Sequence, residues 1–302
     1  ELAARARAAA EALGYVPDPA ARALASHRSS HVAVLIPLLG NTLFVDLLEA
    51  VQRTLRTQGY QVLIGITHYD LREEEQLLRE QLLHRPAGLI VTGFERSEET
   101  RALIRTSRVP CVHVMETSRA PGVHCVGFSQ QDAGYALTRH LLAARGGGAR
   151  RIAFAAAQLD ARVMQRAEGY RRALREAGCY DPALELLWPE ASTIALGAQM
   201  FARLLDAAAP EAIFFCNDDL AQGALMAAHR LGIDVPGRVA VAGFNDLPGS
   251  DQMMPSLTSV RTPRAQVGEQ AAQMLLHLMR GEPAPQHSVE LPWELMVRES
   301  SG

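Results

Sequence analysis

Val32-Ala33-Val34-Leu35-Ile36, then a helical run over 43–58, then Gln61-Val62-Leu63-Ile64-Gly65-Ile66: this stretch decides the fold class. Its two outer runs are short, apolar and rich in branched side chains, as in strands buried on both faces. Between them apolar residues recur about every 3.6 positions, the spacing of a helix lying on a sheet. Strand, helix, strand in that order makes a parallel pair joined by a crossover. The unit then repeats outward. Strand-like runs follow at 88–92, 110–114, 151–156, 212–216 and 239–243, and helix-like runs at 71–84, 96–107, 132–145, 163–178, 195–208, 219–231 and 264–280. The pattern predicts an α/β fold of two doubly wound parallel-sheet subdomains, with a ligand held beyond the carboxyl ends of the strands.

The break at Arg145-Gly146-Gly147-Gly148 reads as the first crossing between the sheets, and 257–264 as a return. The three glycines end a helix and precede a strand. A phosphate cradle needs the opposite order, so they read as a flexible connection. The expected organisation is 1–30 as a separate N-terminal segment, 31–145 plus 263–282 as one subdomain, and 146–262 plus 283–302 as the other.

Composition narrows the function. A chain of 302 residues with 48% hydrophobic content can bury a large core. A net charge of −3 argues against a general polyanion binder. All 30 basic residues are arginine, which in an Ala-rich chain reads as coding bias, so a single arginine says less than usual. Cys111, Cys125, Cys179 and Cys216 lack metal-ligand spacing and read as buried thiols of a reducing cytosol. No apolar run reaches membrane-spanning length and no signal segment is evident. With no nucleophile motif, no phosphate loop and ten dispersed histidines, the chain reads as a cofactor-free non-enzyme.

Ahead of the body, residues 2–13 form an Ala-rich helical run stopped by Gly14. Then comes Tyr15-Val16-Pro17-Asp18-Pro19-Ala20-Ala21-Arg22-Ala23-Leu24-Ala25-Ser26. Asp18 suits an N-cap and Pro19 a first turn. The helix they start is about two turns long, too short to be stable alone in water. It is either a plain linker or a segment that a partner orders.

Gly14-Tyr15-x-Pro17-x-x-Ala20-Ala21-Arg22-x-Leu24 resembles the hinge of the lactose-repressor (LacI) family of bacterial transcription regulators. The body resembles that family too, through Asn217-Asp218 with Ala221-x-Gly223-Ala224, Gly243-Phe244-Asn245-Asp246, and Pro255-x-Leu257-Thr258-x-Val260. The resemblance covers essentially the whole chain. It implies a type I periplasmic-binding-protein-like body, crossed three times by the chain, that works as a homodimer. It implies operator DNA as a partner, with Ala21, Arg22 and Leu24 on hinge helices that enter the minor groove; Leu24 is the wedge that unstacks a base step. Asp18 stands where the family has Asn. Residues 2–13 correspond to the third headpiece helix. The chain opens at Glu1, after the two helices that read the major groove, so it is expected to bind operator poorly without them.

Thr67-His68-Tyr69-Asp70, Thr92-Gly93 and Ser97-Glu98-Glu99-Thr100 resemble the gluconate-repressor branch, which implies a sugar-acid effector. The family places an effector-binding arginine three residues before Gly169, matching Arg166, with Arg162 one turn earlier on the same helical face. Paired guanidinium hydrogen bonds suit a carboxylate. Leu43 and Phe44 follow the first strand and either cover the effector or pack in the core. His68 follows the second strand; a lone histidine is as readily structural. Glu95 and Glu116 end strands and are weaker candidates. Asp132 matches an effector position or serves as a helix N-terminal acid. Asn217 and Asn245 follow strands and both donate and accept, as hydroxyl recognition needs. Asn245 stands where many relatives have Asp, and the missing charge favours an acid over a neutral sugar. Ligand binding as inducer or as corepressor stays open. A periplasmic-type sugar-binding protein shares the same body and is the alternative; the segment 1–30 favours the cytoplasmic regulator.

Overall fold

A computed structural model describes Arg5, Ala9, Ala12, Leu13 and residues 29–40, 42–144 and 149–302. Ala21, Arg22, Leu24 and the glycines at 146–148 lie outside the described residues.

The quoted stretch becomes β1 (His31–Ile36), α1 (Thr42–Arg56) and β2 (Gln61–Ile66). There follow α2 (Leu71–Leu83), β3 (Gly88–Thr92), α3 (Glu98–Ser107), β4 (Cys111–Val114), β5 (Cys125–Gly127) and α4 (Gln130–Ala143). The second half runs β6 (Ile152–Ala157), α5 (Ala161–Glu176), β7 (Glu185–Trp188), α6 (Ile194–Ala208), β8 (Ala212–Phe215), α7 (Asp218–Leu231) and β9 (Ala240–Ala242). It ends with β10 (Ser259–Arg261), α8 (Arg264–Met279), β11 (Ser288–Glu290) and β12 (Glu294–Met296). Two parallel sheets result, ordered β11-β5-β4-β3-β1-β2 and β7-β6-β8-β9, and an antiparallel β10-β12 pair lies between them in the chain path.

Strand alternation explains the layers. Val32, Val34 and Ile36 face one side of the first sheet and pack into the core that includes Phe44 and Leu47 of α1 and Val267 of α8. Ala33 and Leu35 face the other side, with Leu78 of α2. In the second sheet β6 is fully buried from Ile152 to Ala157, as a central parallel strand must be.

Two expected boundaries are corrected. The pattern assigns 132–145 to the first subdomain, but α4 packs along α5 and sits with the second sheet. The chain therefore crosses at Phe128-Ser129, between β5 and α4, and not at the glycines. Burial explains this: Ala133, Leu137 and Leu141 of α4 are inside, and Gly134 and Gly169 let the α4 and α5 backbones touch. A Cβ on Gly169 would overlap the Gln131 carbonyl and lie 2.6 Å from the Tyr135 nitrogen. At the other end, 283–290 does not return to the second subdomain, because β11 pairs with β5 in the first sheet. The return begins only after it. Ser300 then meets the second sheet, its carbonyl accepting from the Val241 nitrogen at 2.8 Å.

Candidate functional site

The carboxyl ends of the two sheets face each other across a cleft with two connected chambers. The outer one, about 370 Å³, is lined by Thr67, Tyr69, Thr92, Glu95, Glu116 and Asp160 among others. The inner one, about 140 Å³, is lined by Leu43, Phe44, Tyr69, Arg162, Arg166, Ser192, Asn217, Asp219 and Asn245 among others. Six of the eight expected effector residues thus meet at the inner chamber: Leu43, Phe44, Arg162, Arg166, Asn217 and Asn245.

Local structure puts α5 at the centre of this cleft. Asp160 caps it, accepting from the Arg162 and Val163 nitrogens at 2.8 and 3.1 Å. The first turn then carries Arg162 and the second Arg166, both pointing back toward the helix N-terminus. Arg162 pairs with Asp160 at 3.2 Å and lies 5.8 Å from the Tyr69 ring centroid. Burial alone would lower the Arg162 pKa, but the charge of Asp160 and its hydrogen bond raise it overall. Burial works against the Asp160 carboxylate as well, yet Arg162 holds it below its ordinary range.

Arg166 is different. Its Nε donates to Gln130 Oε1 at 2.8 Å, one terminal nitrogen donates to the Cys216 carbonyl at 2.6 Å, and the guanidinium stacks 4.0 Å from the Phe244 ring centre. These partners are neutral. Among the described residues no carboxylate forms an ion pair with it, and burial pulls its pKa down. Asp160 lies near enough to favour its charge, but it is paired with Arg162, so Arg166 is a buried cation with no carboxylate in direct contact, which suits an anion.

The remaining predicted residues divide. Phe44 is 1% exposed and belongs to the core as well as to the chamber wall. Asn217 caps α7 through Oδ1, 3.1 Å from the Leu220 nitrogen, and donates from Nδ2 to Ser192 Oγ at 2.7 Å, so much of its amide is committed. Asn245 is 3% exposed, sits at φ 111, and buries its Oδ1 with no protein partner. A ligand donor or an amide flip satisfies such an atom.

His68 and Asp132 stand outside both chambers. Residues 68 and 69 both adopt left-handed backbone, φ 47 and 61, which non-glycine residues rarely do. That turn swings His68 into solvent, where its Nδ1 meets Glu73 at 3.0 Å, and brings Tyr69 into the cleft in its place. Burial pushes the Tyr69 phenol up to about 12. Asp132 lies on the outer surface of α4, accepting from Ser129 Oγ at 2.9 Å and facing Arg172 at 3.3 Å. It is the helix-terminal acid, away from the cleft. Tyr69, Gln158, Ser192 and Asp219 are chamber residues that sequence reasoning missed. Ser192 had one faint signal, its place beside the Thr193 cap of α6.

Among the described residues no group of three or more metal-ligating side chains is placed to hold an ion, and no helix is long and apolar enough to cross a membrane.

Comparison with known proteins gives a consistent set. A periplasmic binding protein-like domain matches residues 138–301. The HTH-type transcriptional regulator GntR of Pseudomonas aeruginosa is 53% identical over 303 residues, covering 100% of this chain and 87% of its own. GntR of Escherichia coli K12 is 31% identical, covering 95% and 86%. The crystal structure of transcription regulator GntR from Chromobacterium violaceum superposes with a TM-score of 0.87 at 47% identity, over 90% of this chain and 99% of that one. A LacI-family regulator from Silicibacter pomeroyi superposes with a TM-score of 0.89 at 32% identity, over 98% and 89%.

Proposed function

The chain belongs to the lactose-repressor (LacI) family of transcription regulators, and from that membership we propose that its operator affinity is set by a sugar acid such as gluconate, bound in the cleft between its two lobes. The observation that carries the ligand class is Arg166. It offers a buried positive charge whose protein partners are all neutral, at the inner end of a chamber with polar walls. A carboxylate placed there supplies the missing counter-charge, and charge-assisted hydrogen bonds are about twice as strong as neutral ones. The hydroxyls of the acid then meet the polar groups of Asn245, Tyr69, Thr67 and Thr92. Leu43 and Phe44 supply the apolar wall. The relatives named as transcriptional regulators favour this reading over a periplasmic sugar-binding role.

In this proposal the two lobes close on the effector by hinge motion about the segments that cross between them. Closure shifts the first lobes of a homodimer against each other. The two segments carrying Ala21, Arg22 and Leu24 lose their mutual spacing, and the operator is released. A coupling of about 1–3 kcal/mol, roughly 5- to 150-fold in affinity, is typical of such switches. Isothermal titration of the protein with aldonates, neutral hexoses and purines tests the ligand class. Gluconate or a close aldonate is expected to bind. A neutral hexose binding while every acid fails overturns the proposal.

A further inference from the structure

Glu95 and Glu116 belong to the first lobe, but their carboxylates end on the second. Glu95 Oε2 accepts from the backbone nitrogen of Ala161, the first residue of α5, at 2.9 Å. Glu116 Oε1 accepts from Gln165 Nε2, one turn further along the same helix, at 2.7 Å. The other oxygen of Glu116 accepts from the Phe94 nitrogen at 3.2 Å, which ties it to the loop that carries Glu95.

That loop is firmly anchored in the first lobe. Arg96 is buried there, donating to the carbonyls of Gly93 and Thr92 at 2.6 and 2.9 Å and pairing with Glu74 at 3.2 Å. His113 stacks on Phe94 with ring centres 4.6 Å apart. On the other side, the α5 N-terminus has a complete set of acceptors only with both lobes in place. Asp160 satisfies the nitrogens of Arg162 and Val163, and Glu95 takes that of Ala161. The helix dipole adds attraction for both carboxylates.

We propose that Glu95 and Glu116 form a carboxylate latch that draws the lobes shut onto the α5 N-terminus, and so sets how firmly the cleft holds its effector. They act by positioning α5, the helix that bears Arg162 and Arg166. Glu116 is the stronger half, because it is 5% exposed and its hydrogen bonds compete little with water. Glu95 is exposed, so its bond contributes less. Opening the lobes returns the Ala161 nitrogen and both carboxylates to water, which favours the closed arrangement by the net worth of these bonds. The inference goes beyond the assignment of the effector and rests on the proposed cleft only for its affinity readout.

The test is hydrogen–deuterium exchange of the full chain without added ligand, comparing wild type, the double variant Glu95→Ala/Glu116→Ala, and the conservative Glu95→Gln/Glu116→Gln. Alanine should speed exchange across 158–165 and 93–97, leave β6 and β8 as protected as before, and weaken gluconate binding about 3- to 10-fold. Glutamine keeps the one acceptor oxygen that Glu95 uses, but at Glu116 it replaces one of two accepting oxygens with an amide donor facing the Phe94 nitrogen or Gln165 Nε2, so the glutamine pair should fall between wild type and the alanine variant in both readouts. Unchanged exchange at 158–165 in the alanine variant overturns the latch, as does tighter gluconate binding by that variant. Faster local exchange in a protein whose wild type binds no aldonate upholds the latch and rejects the sugar-acid assignment instead.

Discussion

In the proposed site, Arg166 is the side chain that selects the charge of the ligand. Its three neutral contacts hold the guanidinium in place, and no carboxylate touches it directly, the nearby Asp160 being paired with Arg162. Replacing it with alanine removes the anion partner and leaves the surrounding walls. Arg166→Ala is therefore expected to weaken acid binding by about 10-fold or more, since hydrogen bonds to charged groups contribute about 1.5–3 kcal/mol. Calorimetric titration measures this, and unchanged affinity removes Arg166 from the site. The position of Arg166 was legible because an arginine three residues before a glycine fits the family pattern. The choice between His68 and Tyr69 was not. It depends on two consecutive left-handed residues that are not glycine, and composition carries no signal for such backbone. Likewise Asp132 carries the right residue type at the right spacing, but the face of α4 it occupies is fixed by how α4 packs.

α4 and α5 show why element boundaries and lobe boundaries differ in legibility. Apolar periodicity places each helix within a few residues, since the core stripe dictates it. It does not say which sheet the helix covers. The chain leaves the first sheet through Phe128-Ser129, directly after Gly127 at the end of β5, where a single glycine does not distinguish a crossing from an ordinary strand end, and Ser129 caps the next helix. The glycines that matter are Gly134 and Gly169, at the contact between α4 and α5. Gly169→Ala puts a methyl group into the Gln131 carbonyl, so the helices must separate and loosen the packing of Ala133, Leu137 and Ala167. A loss of about 1–3 kcal/mol is expected, the usual cost of overpacking. Denaturant titration reads the loss. Because the same shift moves the helix carrying Arg162 and Arg166, gluconate affinity should fall with it. A variant as stable as wild type is inconsistent with the close crossing.

In the proposed function, signal and response belong to different stretches of the chain. The cleft lies between the lobes, while the segment proposed to contact DNA precedes β1 in sequence, and the carboxyl end of β1 borders the cleft through Pro37 and Leu38. An effector changes operator affinity only by the difference in its affinity for the two arrangements of the lobes. The residues proposed to bind effector and those proposed to wedge DNA should then separate by mutation. In a form bearing a helix-turn-helix headpiece, Leu24→Ala removes the proposed apolar wedge, so the bent operator loses the insertion that offsets the unstacking of its central step. Operator affinity should fall about 10-fold or more at fixed salt, with a salt slope close to wild type because no phosphate contact is lost. Gluconate affinity of the free protein should not change, since Leu24 precedes in sequence the body that forms the cleft. Fluorescence anisotropy on operator DNA, paired with calorimetry on gluconate, reads both. If operator affinity is unchanged, the wedge is rejected and residues 15–29 are a plain linker. If gluconate affinity falls as well, the neck and the cleft are not separable, and closure of the lobes alone does not transmit the signal.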